Sequence, residues 1–239
     1  MKKLNFIIKC GLALLLLSFY SCESWLNVTP SDRLSEEMLF NDREGFVKAL
    51  NGVYIELNTN ELYGRNLTAG ALDVMGQYYS VASSSHAFYN YGGLVYTGND
   101  EKALFDNMWQ KCYAVIACCN TIIEKCDENK AGLSPVWRGS IKGEALALRA
   151  MLHFDMLRLF GPLTSELDKE SIPYQTNSDQ TVTPLLSGSE VVGLILDDLK
   201  NAVGLLKDTD PYFVEEEFSD TDLNYRRFRR KNRNQNYNR

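Results

Sequence analysis

The chain has 239 residues, of which 45% are hydrophobic and 23% charged, a balance that fits one globular domain, or one large helical domain with a leader. Its formal charge of -6 conceals an asymmetry: residues 1–21 carry Lys2, Lys3 and Lys9 and no acid, residues 225–239 carry seven basic residues and no acid, and the body between holds 15 basic against 31 acidic residues, a net of -16. An acidic body argues against nucleic acid or phosphorylated ligands as partners of the main fold and leaves neutral ligands such as glycans compatible.

Residues 1–21 read as a leader. MKKLNFIIK is a basic start and GLALLLL an apolar run too short to span a bilayer. Ser21 directly before Cys22 is the cleavage signature of a bacterial lipoprotein, although Phe19 departs from the usual aliphatic residue there. Cys22 is therefore the expected lipidation site, and ordinary secretion with Cys22 as a free thiol is the alternative. Residues 22–34 form an extended tether in which Pro30 disfavours helix for Thr29.

From Asn41 to Leu57 the spacing of Phe46, Leu50, Val53, Tyr54 and Leu57 predicts a helix, with Asn41 and Glu44 as a capping box. A weaker helix is expected over 67–77. Residues 78–98, YYSVASSSHAFYNYGGLVYTG, have no helical period and many turn residues. A tyrosine offers a flat apolar face to the C–H side of a sugar ring and a hydroxyl to its polar edge. Tyr78, Tyr79, His86, Tyr89 and Tyr91 are the candidate ligand-binding residues, and the alternative is that these rings only seal the loop against the helices.

Asp100 to Asp127 reads as a long helix with Leu104, Met108, Trp109, Cys112, Ile116, Cys119 and Ile123 as its stripe. Cys112, Cys119 and Cys126 recur every seven residues, almost two turns, and share a face. They match no zinc spacing, so free thiols buried as small hydrophobes are expected, with no metal and no cofactor. Ser134-Pro135 opens a further helix and Gly161-Pro162 closes it, Gly161 through a left-handed turn. Trp137, Ile141, Ala145, Leu148, Leu152, Met156 and Leu159 form its stripe, and Ala145, Ala147 and Ala150 allow close approach of a neighbour. Residues 163–187 are a long loop, after which Ser187 or Ser189 caps a helix over 190–206. Glu144 and Asp155 are eleven residues apart, about 16 Å along a helix, too far for a paired-carboxylate glycosidase. With two histidines and no nucleophile or dinucleotide motif, no enzyme is expected.

The stretch GEALALRAMLHFDMLRLFGP closely resembles the characteristic helix of the SusD/RagB-like nutrient-binding lipoproteins of the Bacteroidetes outer membrane. Cys22 followed by WLNVTP, and SEVVGLILDDLKNAVGLL, resemble flanking parts of the same family, so the likeness spans residues 22–224. The resemblance implies an all-α fold of tetratricopeptide-like helical hairpins with long grafted loops over 35–224. It also implies a lipid anchor at Cys22, capture of a nutrient such as a glycan, and delivery to a TonB-dependent SusC-like transporter. A helical-repeat scaffold for polypeptide is the competing class. Where the family enters another long helix, this sequence gives YRRFRRKNRNQNYNR, a basic tail over 225–239 with no apolar stripe. The resemblance therefore implies the N-terminal portion of such a protein, truncated or frameshifted, with weak ligand binding on its own or none.

Overall fold

The computed structural model describes residues 36–179 and 181–210. The leader, Cys22, the tether and the basic tail all lie outside the described residues. Contacts divide the chain into a unit of residues 1–38 and one of residues 39–239. Among the described residues the first holds the opening of helix α1, Glu36–Leu39; everything below concerns the second.

The described residues of the second unit are all-α apart from one small ribbon. Helix α2 spans Arg43–Leu57, with Phe46, Leu50, Val53 and Leu57 buried, as the spacing predicts. Its N-cap is Asp42 and not Asn41: the Asp42 carboxylate accepts from the Gly45 N–H at 2.8 Å. Residues 58–70 run through successive turns, and the expected second helix shrinks to α3, Ala71–Met75. Glycines at 64, 70 and 76 break the segment at six-residue intervals. Within residues 78–98 the structure adds one short helix, α4, Tyr89–Gly92.

Two long helices form the frame. Helix α5 spans Asn99–Glu128 and α6 spans Pro135–Phe160. Asn129 joins them in the left-handed conformation (φ 46°) that an asparagine tolerates, and its side-chain carbonyl accepts from Leu133 N at 2.8 Å. Ser134 then caps α6 by accepting from Trp137 N. At the other end Gly161 is extended (φ -81°, ψ 174°) rather than left-handed. A side chain there would meet the Leu157 carbonyl oxygen at 2.4 Å, so close approach and not backbone sign requires glycine.

Residues 163–187 are more ordered than the sequence suggests. A 3-10 turn, Thr164–Glu166, precedes β1, Glu170–Pro173, which pairs antiparallel with β2, Leu185–Ser187. β1 sets Ile172 fully inside the main core. Helix α7, Gly188–Thr209, follows at once, capped by Ser187 and Glu190 in a complete capping box. It packs along α6 more extensively than any other helix pair. The close approach rests on Gly139 and Gly143, one turn apart on α6. An added Cβ at Gly139 would lie 2.6 Å from Thr209 Cγ2, and one at Gly143 would lie 2.8 Å from Leu206 Cγ. Of the expected alanines, Ala145 and Ala150 are fully buried in the same core. Leu152 and Met156 are fully buried between the helices.

Cys112, Cys119 and Cys126 are buried free thiols, and burial pushes the last two up to about 12, so they stay protonated. Among the described residues no group of His, Cys, Asp and Glu is placed to hold a metal ion. No described helix is long and apolar enough to cross a membrane.

Candidate functional site

The tyrosine-rich loop sits over a small apolar cluster of its own, made of Ala71, Val74 and Tyr91. Leu104 and Phe105 on α5 pack against both this cluster and the main core, so the loop is founded on the long hairpin. Three polar contacts hold it down. Asn90 Nδ2 donates to Glu101 Oε1 at 2.8 Å, the Tyr91 hydroxyl donates to the Asp100 carbonyl at 3.5 Å, and Gln77 Nε2 donates to the Gly92 carbonyl at 3.0 Å. Gln77 itself takes a positive φ of 61°, the sharp reversal that turns the chain out of α3.

Above this foundation is a surface cavity of about 470 Å³, lined by Ala69 and Val74 at its base and by Tyr79–Ser83, His86 and Phe88 around it. Its walls combine aromatic faces, small apolar groups and serine hydroxyls, and no lining residue is a carboxylate, lysine or arginine. His86 Nδ1 accepts from the Phe88 N–H at 3.0 Å. In the neutral ring that bond fixes the proton on Nε2, which remains a donor. The Phe88 ring is flanked by His86 at 5.7 Å and packs edge-on to Tyr91 at 5.8 Å.

The structure places the five candidate residues in three different settings. Tyr79 (53% exposed) and His86 line the cavity together. Tyr78 (80% exposed) and Tyr89 (43%) stand on the surface of the same loop outside the lining. Tyr91 is 2% exposed and presents no ring face to solvent. Burial, with Glu101 and Asp100 nearby, pushes its phenol up to about 12, so it stays a neutral donor under the loop. Ala69, Val74, Phe88 and the rest of the Ser80–Ser83 segment complete the lining. Phe88 was legible as one more aromatic in the loop; Val74 and Ala69 join only through the turns at 64–76.

A second polar system ties α5, α6 and α7 together. Arg149 on α6 makes a bidentate ion pair with Asp198 on α7, with both bonds at 2.7 Å, and donates to Asn120 Oδ1 on α5 at 2.8 Å. Tyr174 donates to Asp198 Oδ2 at 2.5 Å and stacks on His153 at 3.9 Å. His153 is fully buried, held between the Arg149 carbonyl and the Gln175 N–H. Along α5, Tyr113, Asn120 and Glu124 hydrogen-bond in turn to Pro173, to Gln175 and Asn177, and to Ser178. This network straps residues 173–178 onto three helices. Its centre, Asn120, Arg149, His153, Tyr174 and Asp198, is buried, so this part is architecture and not a site.

The architecture is thus an all-α helical-hairpin protein with an aromatic pocket carried on a grafted loop. The family model described as "Starch-binding associating with outer membrane" matches residues 24–219, and the chain belongs to this SusD-like family. Two curated relatives come from Formosa agariphila. SusD-like protein P38 is 27% identical over 199 residues, covering 76% of this chain and 34% of the relative. SusD-like protein P2 is 26% identical over 166 residues, covering 67% and 30%. The chain therefore spans about a third of the length of the curated relatives it matches. Two solved structures from Bacteroides vulgatus share the fold. One is a SusD superfamily protein (TM-score 0.53, 21% identity, 70% of this chain and 35% of that one). The other is described as a sugar-binding protein (TM-score 0.56, 23% identity, 69% and 37%).

Proposed function

We propose that this chain contributes a saccharide-contacting surface to a lipid-anchored outer-membrane binding protein of the SusD-like family. The observation that carries the reading is the cavity that joins Tyr79, His86, Phe88, Ser80 and Ser83 with no charged group in its lining. A pyranose ring has an apolar C–H face and a rim of hydroxyls. Tyr79 and Phe88 supply apolar faces for the first, and the serines with His86 Nε2–H supply partners for the second. The cavity is open on one side, so few ligand groups are immobilised per contact and affinity is low. The family's description and the sugar-binding description of one structural relative point the same way.

Isothermal titration of the chain with a panel of neutral oligosaccharides tests the site. Tyr79→Ala is expected to weaken binding about five- to tenfold, the equivalent of about 1 kcal/mol of aromatic contact, and His86→Ala to weaken it similarly. Both residues are surface groups, so thermal unfolding should stay within about 0.5 kcal/mol of the wild type. Unchanged affinity in the Tyr79→Ala/His86→Ala double variant would move the site elsewhere.

The leader and the family membership support lipidation at Cys22, attachment to the outer membrane and delivery of the ligand to a TonB-dependent SusC-like transporter. Detergent extraction of cells expressing the chain checks these together. An acylated N-terminal Cys22 by mass spectrometry and a co-purifying transporter are expected. A free Cys22 thiol would remove the anchor from the proposal, and absence of the transporter would remove the partner.

A further inference from the structure

Just outside the cavity lining stands a cation that its neighbours leave unneutralised. The Arg65 guanidinium carbon lies 5.9 Å from the centroid of the Phe88 ring, within the range of a cation–π contact. Its side-chain stem runs against Gly70, where an added Cβ would meet Arg65 Cγ at 2.9 Å. Gly70 adjoins Ala69, so stem and head of Arg65 flank two walls of the cavity, Ala69 and Phe88. Arg65 Nε donates to Asn66 Oδ1 at 3.1 Å. Among the described residues neither terminal nitrogen has a hydrogen-bond partner and no carboxylate pairs with the guanidinium, whereas Lys48, Lys102, Lys111 and Lys142 each have one. The side chain is thus held at Nε by Asn66 with its head near the Phe88 ring, and its two outer nitrogens are uncommitted among the described residues.

On this ground we infer that Arg65 is a specificity-determining residue that makes the cavity prefer a saccharide bearing an anionic group, a uronate or a sulfate ester, over its neutral counterpart. The inference rests on the saccharide reading of the cavity given above. A planar guanidinium with two free N–H edges matches a carboxylate or sulfate bidentately, which an ammonium does not. The net-negative body does not cancel this effect. Screening at physiological salt confines exposed charges to about 8 Å, and no acidic residue lines the cavity. Asp73, next to Val74 on α3, is the acidic residue nearest the lining in sequence and does not belong to it. Phe88 fixes where the anion sits relative to the ring: a sugar stacked in the cavity would carry its charged substituent toward the Ala69–Phe88 edge.

The test is titration of the chain with a galacturonic acid trisaccharide, its methyl ester and a sulfated galactose trisaccharide beside its unsulfated form. At physiological salt the anionic member of at least one pair is expected to bind about three- to tenfold tighter than its neutral partner, and the larger preference identifies the group. That preference should shrink as salt rises. It should vanish in Arg65→Gln with neutral affinity kept, and survive in part in Arg65→Lys. Equal affinity within both pairs overturns the role of Arg65 and leaves the neutral-saccharide site standing. A preference that persists in Arg65→Gln assigns it to another residue. Binding of none of the four, charged or neutral, overturns the saccharide site itself. Should the Arg65 variants fail to fold, a wild-type preference that does not fall with salt overturns the inference by itself.

Discussion

Asp198 illustrates how little of a buried residue's role shows in sequence. In DDLKNA it looks like one of two solvated acids on the outer face of a helix. In the structure it is buried, carries a bidentate bond from Arg149 and accepts from Tyr174, while Asp197 next to it meets only Lys200 at 3.4 Å on the surface. Removing one member of a buried pair strands the other charge away from water, at a cost of about 3–5 kcal/mol. Asp198→Ala is therefore expected to lose about that much stability in urea unfolding. Replacing both residues, Arg149→Leu with Asp198→Ala, should recover part of the loss, because no charge is then left unpaired. A single-variant loss under about 1 kcal/mol would mean that water reaches Arg149. The cavity residues sit at the other extreme. Tyr79 and His86 are polar-tipped groups on an irregular loop, and their type alone suggested a surface for ligand.

At the scale of elements, sequence pattern reported the helices well and their contacts poorly. The stripes on α2, α5 and α6 correspond to buried faces because a helix must bury one side, and that need is written at three- and four-residue spacing. The Ser134-Pro135 start is local chemistry and was legible for the same reason, whereas Ser187 and Ser189 stood equal as caps for the last helix until the capping box of Ser187 with Glu190 decided between them. Who packs on whom is not local. Gly139 and Gly143 carry no pattern of their own, yet an added Cβ at either would collide with α7, at Thr209 and Leu206. The β1–β2 ribbon was hidden because its strands have four and three residues, too few for an alternating pattern to register. The cavity was half legible. The loop announced its aromatics, but Tyr91 went underneath because Phe105, more than ten residues away, offered it an edge-to-face partner at 6.0 Å. Ala69 and Val74 reach the lining through turns whose closure depends on bonds such as Leu72 N to the Asn66 carbonyl.

Across the whole molecule, the strap network and the cavity loop share helix α5 as support, joined by ring contacts that run from Tyr91 through Phe105, Phe160, Trp109 and Tyr113 to His153. The strap has one titratable weak point. His153 is enclosed by the Arg149 carbonyl, the Gln175 N–H, the Tyr174 ring, the edge of Tyr113 and, beyond Tyr174, the Asp198 carboxylate. Burial is the main cause that lowers its pKa from 6.5 to about 4, so it is neutral in the folded protein through most of the acidic range. An unfolded chain takes up that proton near pH 6.5. Between pH 6.5 and 4 the unfolded state thus holds a proton that the folded state refuses, and stability must rise with pH across this window. The contribution is complete above about pH 6.5 and is lost progressively as pH falls to about 4. The linkage amounts to at most about 3 kcal/mol. Urea unfolding of the wild type at pH 7 and at pH 4.5 should show a loss on acidification that exceeds the loss in His153→Gln. The variant starts less stable at pH 7, since it gives up the stack on Tyr174, but its curve should be flatter by the amount that His153 contributes. Carboxylates titrate alike in both proteins, so the difference between the two slopes isolates the histidine. Parallel slopes would mean that His153 is protonated readily in the fold and that the strap opens to water well before the helices part.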